Sequence, residues 1–280
     1  MQFHRPETVE NALSLLADGT VSLLAGGTDF FPARMGRTAQ EPVLDLTRIA
    51  ALKGISKTGD RWRIGATTTW SQIRDADLPA RFRALQQAAA EVGSVQIQNA
   101  GTIAGNICNA SPAADGVPPL LTLNATVEIA GPGGIRTVPL PDFITGVRKT
   151  ALLPGEIVTA VLMDDEPGEV SAFLKLGARR YLVISIAMVA VNVALAADGT
   201  IGRIAIAVGS CSAVARRIAS LEQVLSGVVP GSEAFAEILA RVDLPELSPI
   251  DDVRATAIYR MDAAKTLIGR AVMLAAEGRA

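Results

Sequence analysis

One segment of this sequence consists almost entirely of small residues, and it limits what the chain can fold around. It runs from Gly101 to Asp115 and reads Gly-Thr-Ile-Ala-Gly-Asn-Ile-Cys-Asn-Ala-Ser-Pro-Ala-Ala-Asp. Glycine and alanine let a ligand approach the backbone closely, and short hydroxyl or amide side chains add donors without filling the space. Such a loop suits an anion that is held by backbone N–H groups.

A second segment, Leu23 to Asp29, has the same character and reads Leu-Leu-Ala-Gly-Gly-Thr-Asp. The two segments could hold one diphosphate from two sides. Neither matches the glycine pattern of the Rossmann fold or of the P-loop, which excludes those two kinds of nucleotide site. Ordinary turns are the alternative, because glycine-rich turns are common.

The composition narrows the class of protein. The 280 residues are enough for two domains of ordinary size. A net charge of −2 and the lack of a long basic run argue against nucleic-acid binding. The first residues contain no apolar signal region, so we expect a cytoplasmic protein.

The supply of metal ligands is small. Cys108 and Cys211 are the only cysteines and His4 is the only histidine. Two cysteines cannot supply the four ligands of an iron–sulfur cluster, and a zinc site would lack its commonest ligand. We therefore expect no metal site and no catalytic triad, and we name no acid–base catalytic residue.

Hydrophobic periodicity predicts a mixed helix and strand chain in the first 165 residues. The predicted helices cover 6–17, 67–74 and 79–92, and the predicted strands cover 21–24, 43–46, 61–64, 126–129, 135–138 and 157–163. The segment 101–115 is predicted to be a loop, and 117–123 a turn or the start of a helix. A polar stretch at 164–169 marks the expected domain boundary.

The rest of the chain predicts an α+β domain. The most membrane-like run, 181–197, falls short of the ~20 residues that a spanning helix needs. The Asp198-Gly199 turn after it predicts a buried β-hairpin over 183–208. A further strand is predicted at 171–176, with helices at 213–225, 234–242 and 251–276, the last with Val253 in its apolar stripe.

The two small-residue segments resemble the FAD-pyrophosphate motifs of the molybdenum hydroxylase flavoprotein family. This family includes the medium subunits of carbon monoxide dehydrogenase and the FAD domains of xanthine dehydrogenase. Further matching stretches are Gly146–Thr150, Pro154–Val158, Phe173–Arg180, Pro249–Ala255 and Tyr259-Arg260. The matches run from His4 to the last predicted helix, so the resemblance covers nearly the whole chain.

The resemblance implies the fold. Residues 1–165 would form a two-subdomain FAD-binding unit of the vanillyl-alcohol-oxidase (PCMH) type, with subdomains of about 1–55 and 56–165. Residues 170–277 would form a small α+β C-terminal domain, in which helices pack on a β-sheet.

The resemblance also implies which residues hold FAD. One side of the diphosphate would be lined by Leu23, Leu24, Ala25, Gly26, Gly27, Thr28, Asp29 and Phe30. The other side would be lined by Gly101, Thr102, Ala104, Gly105, Asn106, Asn109, Ser111 and Asp115. Val158 would lie against the flavin or the adenine. Lys175 would lie near the isoalloxazine, where its charge would stabilise the anionic reduced flavin. For Lys175 the alternative is a solvated lysine at a strand edge.

The chain departs from the family pattern at a few positions, and one of them removes a carboxylate. Relatives commonly carry an acid shortly after the arginine pair, whereas this chain has Val183 after Arg179-Arg180. A carboxylate that could bond to the flavin or hold Arg179 in place is therefore missing.

For function, the resemblance implies an electron-transfer flavoprotein subunit. A molybdopterin-containing large subunit would hydroxylate the substrate, and a [2Fe-2S] small subunit would pass electrons to FAD. NAD, a quinone or oxygen would then be reduced, in a complex built as a dimer of heterotrimers. Two alternatives stay open: a self-contained FAD-dependent oxidoreductase of the same fold, and a non-catalytic scaffold that has lost FAD.

Overall fold

The computed structural model describes residues 2–17, 19–34, 41–180 and 182–278. The chain divides into two compact units. The first comprises 1–73, 94–110 and 125–165, and the second comprises 74–93, 111–124 and 166–280. Tyr181, the first residue of the predicted membrane-like run, lies outside the described residues. The domain limits 1–165 and 170–277 stay a prediction.

The first unit opens with a small parallel sheet. Strand β3 (Val43–Asp45) lies between β1 (Phe3–His4) and β2 (Ser22–Leu24) and is parallel to both. Helix α1 (Val9–Ala17) lies between β1 and β2 in sequence. It begins later than the predicted residue 6, because the Thr8 hydroxyl accepts a hydrogen bond from Asn11 N–H at 3.2 Å and caps the first turn.

The larger sheet of the first unit is antiparallel. Its order is β4-β5-β10-β6-β7, with bounds Ile55–Thr58, Arg61–Gly65, Ile157–Asp164, Thr126–Gly131 and Gly134–Pro139. The strands predicted at 61–64 and 157–163 and the hairpin predicted over 126–138 are confirmed. After β7 come helix α7 (Leu140–Phe143) and the paired strands β8 (Ile144–Gly146) and β9 (Lys149–Thr150).

Three short helices complete the first unit, and one of them corrects a prediction. They are α2 (Trp70–Arg74), α4 (Val95–Ala100) and α5 (Ile103–Asn109). The predicted loop 101–115 is therefore wrong over the residues of α5. The Thr102 hydroxyl caps this helix by accepting from Gly105 N–H at 3.1 Å, and Ala110 ends it at φ +46°. Small polar residues suit both caps and turns, so composition alone did not distinguish them.

The second unit is built on an antiparallel sheet in the order β11-β12-β13-β14. The strands are Val170–Leu176, Ala187–Leu195, Ile201–Gly209 and Arg216–Arg217. The predicted hairpin is confirmed: β12 pairs with β13, and the Asp198 carboxylate accepts from Thr200 N–H at 3.0 Å in the turn between them. No helix within the described ranges is long and apolar enough to cross a membrane.

Helices cover this sheet. They are α3 (Arg83–Glu91), α6 (Val117–Thr122), α8 (Ala219–Leu225), α9 (Glu233–Arg241) and α10 (Ala257–Ala276). Helix α10 packs on β11 and β12, and Leu267 and Ile268 join Val189 and Val191 in the core. Each fully buried aliphatic side chain stabilises the fold by about 1.5–3 kcal/mol. The predicted α+β class is confirmed.

Two of the helices predicted near the C-terminal end also begin later than expected. The segment 213–225 is helical only from Ala219, because Arg216–Arg217 pairs with β13. Helix α10 begins at Ala257 instead of residue 251, because the Asp252 carboxylate accepts from the N–H groups of the two residues at 254 and 255 and holds a turn. Val253 is 98% exposed, so its predicted place in the apolar stripe is wrong.

Candidate functional site

The loop after β2 presents a row of backbone N–H groups that meet no acceptor among the described residues. Gly27 takes φ +71°, and its carbonyl accepts from Phe31 N–H at 3.2 Å, which closes the turn. In the part of the chain that the structure describes, the N–H groups of Gly26–Phe30 have no hydrogen-bond acceptor. These five half-buried residues are called the amide row below. Amides arranged in this way favour an anion.

The amide row touches the second small-residue segment. A Cβ on Gly26 would lie 1.9 Å from the Ala100 carbonyl oxygen, so this position admits no side chain. A Cβ on Gly101 would lie 3.4 Å from Thr28 Oγ1. The structure thus brings the predicted residues 23–30 and the start of 101–115 together in the first unit.

Helix α5 contributes shape to this site rather than N–H donors. Its first amides are already used within the unit: Ile103 N–H donates to Thr68 O at 3.0 Å, and Ala104 N–H donates to Ala66 O at 3.1 Å. The next amide, of Gly105, donates to the capping hydroxyl. An anion at this place would therefore depend on the amide row for backbone donors.

Two residues of α5 nevertheless keep features that a ligand would use. Gly105 is exposed, and a Cβ at this position would lie only 2.9 Å from Thr102 Oγ1, so a side chain would crowd the first turn. Asn106 Oδ1 is buried and has no hydrogen-bond partner within the described residues. Leaving such an atom unsatisfied costs about 1–3 kcal/mol, so a donor on a bound group would relieve it. The free amides and this orphaned oxygen fit a diphosphate-bearing cofactor.

Arg148 joins the two segments, and sequence reasoning did not include it among the site residues. Its Nη1 donates to Asp29 Oδ2 at 2.7 Å and also to Asn109 Oδ1. Its backbone N–H donates to Ala110 O at 2.9 Å. The available signal was the stretch Gly146–Thr150, which served only to support the family resemblance.

Val158 lies in the first unit on β10, opposite Ile129 of β6. Its side chain is buried, and α5 packs against the same strand. The register shifts between Val158 and Ala160, which marks a bulge. Its predicted place beside the flavin or adenine stays a prediction.

The remaining predicted residues belong to the second unit. Asp115 accepts from Lys175 Nζ at 2.8 Å and from Ser185 Oγ at 2.9 Å. The Lys175 and Asp115 side chains are only 8% and 10% exposed.

The alternative of a solvated lysine is therefore wrong, although β11 is an edge strand. Burial raises the pKa of the Asp115 carboxyl, and the Lys175 charge opposes this. Ser111 Oγ accepts from Ala113 N–H at 3.3 Å.

A backbone carbonyl takes one role of the missing acid. Arg179 donates from Nε and Nη2 to Leu182 O, at 3.2 and 2.5 Å. Leu182 takes φ +53° to present that carbonyl. The guanidinium is thus held in place by a backbone carbonyl, although residue 183 is a valine and supplies no carboxylate.

Neither thiol of the sequence is in a disulfide: Cys108 is half-buried and Cys211 is buried. Over the described ranges, no group of three or more His, Cys, Asp or Glu side chains is placed to hold a metal ion.

Comparison with protein families identifies both parts of the chain. The model of the FAD binding domain in molybdopterin dehydrogenase matches residues 1–163. The model of the CO dehydrogenase flavoprotein C-terminal domain matches residues 172–275.

Individual relatives match over nearly their whole length. The xanthine dehydrogenase FAD-binding subunit of Escherichia coli O157:H7 is 31% identical over 276 residues, covering 96% of this chain and 94% of that protein. The carbon monoxide dehydrogenase medium chain of Afipia carboxidovorans is 31% identical over 278 residues, with coverages of 96% and 94%. The solved structure of reconstituted CO dehydrogenase from Oligotropha carboxidovorans matches with a TM-score of 0.91 and 29% identity, covering 100% of this chain and 98% of that chain.

Proposed function

The chain belongs to the family of FAD-binding subunits of molybdenum hydroxylases, and we propose that it carries electrons between a partner subunit and an external acceptor. The donor would be a [2Fe-2S] small subunit, and the acceptor would be NAD, a quinone or oxygen. A molybdopterin-containing large subunit would act on the substrate. The assembly would be a dimer of heterotrimers in the cytoplasm.

The amide row is the observation that carries the proposed FAD site. It offers backbone donors to a diphosphate, and Asn106 adds a buried oxygen that needs a donor. When bound, FAD supplies the redox chemistry, and the protein supplies binding, orientation and electrostatics. The residues predicted from sequence to line the diphosphate, 23–30 and 101–109, are proposed to do so.

Lys175 is proposed to contact the isoalloxazine. Its ammonium has three N–H donors, and within the described residues it donates to Asp115 and to the Glu91 carbonyl. One donor is therefore left for a ligand. The hydrogen bond to Asp115 would keep the positive charge of Lys175 at a fixed position.

Two cysteines cannot hold an iron–sulfur cluster, which supports an electron donor outside this sequence. The alternative is a self-contained FAD-dependent oxidoreductase of the same fold. It predicts turnover of a small substrate by the isolated chain. The proposed subunit should instead need its partners to reduce FAD with the substrate of the complex.

The first experiment identifies the cofactor of the purified chain. Its absorbance spectrum should show oxidised flavin, and heat should release FAD. Gly105→Val should abolish FAD retention, because the new side chain covers the exposed surface beside α5 and its Cβ crowds the capping Thr102 hydroxyl. Gly133→Val is the matched control, because a Cβ at Gly133 meets nothing within 4 Å. Normal FAD content in folded Gly105→Val, confirmed by circular dichroism, would contradict the assigned site.

A further inference from the structure

We infer that Arg148 is a positioning residue for FAD binding. It fixes the position of the amide row relative to helix α5. This inference rests on the proposed FAD site. One nitrogen atom of Arg148, Nη1, donates both to Asp29 in the amide row and to Asn109 in α5. The side chain therefore links one segment directly to the other.

The backbone of Arg148 is fixed as well. It lies in the turn between β8 and β9, at φ +58°. Its N–H donates to Ala110 O, at the residue that ends α5. Main chain and side chain thus hold the same end of α5, and the guanidinium extends from there to Asp29.

This arrangement favours a role in positioning over a role in folding. The Arg148 and Asp29 side chains are 55% and 49% exposed, and exposed ion pairs contribute little to stability. Asp29 belongs to the amide row, whose donors must point to a common place to hold an anion. Restricting the loop before binding lowers the entropy that the ligand must remove.

The test is FAD affinity of the apoprotein, measured by quenching of flavin fluorescence and checked by the dissociation rate. We expect Arg148→Ala to weaken FAD binding about 10-fold, within the range of coupling between residues in contact. Arg148→Lys should recover most of the affinity, because a single nitrogen makes both contacts in the structure. The melting temperatures of the apoproteins should stay close together.

A matched control is available in the same unit. Arg61 is also 55% exposed and pairs with Asp164 at 3.1 Å. Arg61→Ala removes a comparable ion pair far along the larger sheet, and it should leave FAD affinity unchanged. Equal affinities for Arg61→Ala and Arg148→Ala would overturn the inference.

A double variant separates positioning from direct contact with phosphate. If Arg148 acts through Asp29, then Asp29→Ala should weaken binding as well, and the double variant should be no weaker than Arg148→Ala. Losses that multiply would show that Arg148 acts independently of Asp29 and would overturn the inference. Failure of the wild-type protein to bind FAD would instead overturn the proposed function.

Discussion

Two ion pairs of nearly the same length involve predicted FAD residues, one in each unit. Arg148 pairs with Asp29 at 2.7 Å, and Lys175 pairs with Asp115 at 2.8 Å. The first pair is about half exposed, and the second is almost completely buried. Geometry alone would rank them as equal, but their surroundings make them different structural elements.

The difference lies in what happens when one partner is lost. Water solvates the ion that remains from an exposed pair, so such a pair is worth about 0–1 kcal/mol. The ion that remains from a buried pair stays in a medium of low polarity, and breaking the pair costs about 3–5 kcal/mol. The exposed pair is therefore suited to organising a loop, and losing one partner of the buried pair is expected to destabilise its unit.

The largest effect is expected for Lys175→Met in the apoprotein. This variant leaves the Asp115 carboxylate buried without its cation, and the free energy of unfolding should fall by about 3–5 kcal/mol. Urea denaturation measures it. Adding Asp115→Asn should restore much of the loss, because the amide oxygen still accepts from Ser185. An unchanged urea midpoint for Lys175→Met would show that the buried pair contributes no more to stability than the exposed pair.

The same variant should show a pH dependence of known sign. Burial raises the pKa of Asp115 above its ordinary 3.8, so the folded state binds a proton more readily than the unfolded state. The stability associated with this group is present below pH 3.8 and is lost as pH rises through the raised pKa. The deficit of Lys175→Met should therefore shrink as pH falls from neutrality toward 4. A deficit that stayed constant would mean that Asp115 is not buried.

A smaller effect is expected for Arg148→Ala. Without FAD, the free energy of unfolding should fall by about 1 kcal/mol or less, because the pair is exposed. Urea denaturation next to Arg61→Ala provides the comparison. A loss as large as that of Lys175→Met would show that the exposed pair supports folding after all.

The smallest effect is expected from salt. Raising NaCl from about 0.05 M to about 0.5 M shortens the Debye length from more than 10 Å to less than 8 Å. A double-mutant cycle should show weaker coupling between Arg148 and Asp29 at the higher concentration, and nearly constant coupling between Lys175 and Asp115. Equal sensitivity of the two couplings would contradict the burial of the second pair.

The contrast also separates what the sequence could predict from what it could not. A run rich in Val and Ile, followed by the Asp198-Gly199 turn, identified the hairpin of β12 and β13. The composition of 23–29 and 101–115 identified the segments to which most of the proposed site residues belong. The partner of Lys175 is 60 positions away, however, and Asp29 is 119 positions from Arg148. No local pattern reports such a contact or its burial.

Helix α5 could not be predicted from the sequence for a related reason. Thr102 begins a helix in this structure, but threonine before small residues is equally typical of a turn. The decision depends on Thr68 and Ala66, whose carbonyls accept the first amides of α5. Those acceptors belong to another part of the chain, so the helix is specified by tertiary contact.

The division of backbone donors between α5 and the amide row has a consequence for the empty protein. The first amides of α5 are hydrogen-bonded before any cofactor binds, whereas those of Gly26–Phe30 have no acceptor within the described ranges. Hydrogen exchange should therefore be slow in the helix with or without FAD and should slow in the amide row only on loading. Cofactor binding would then order only the amide row, beside a helix that is already formed.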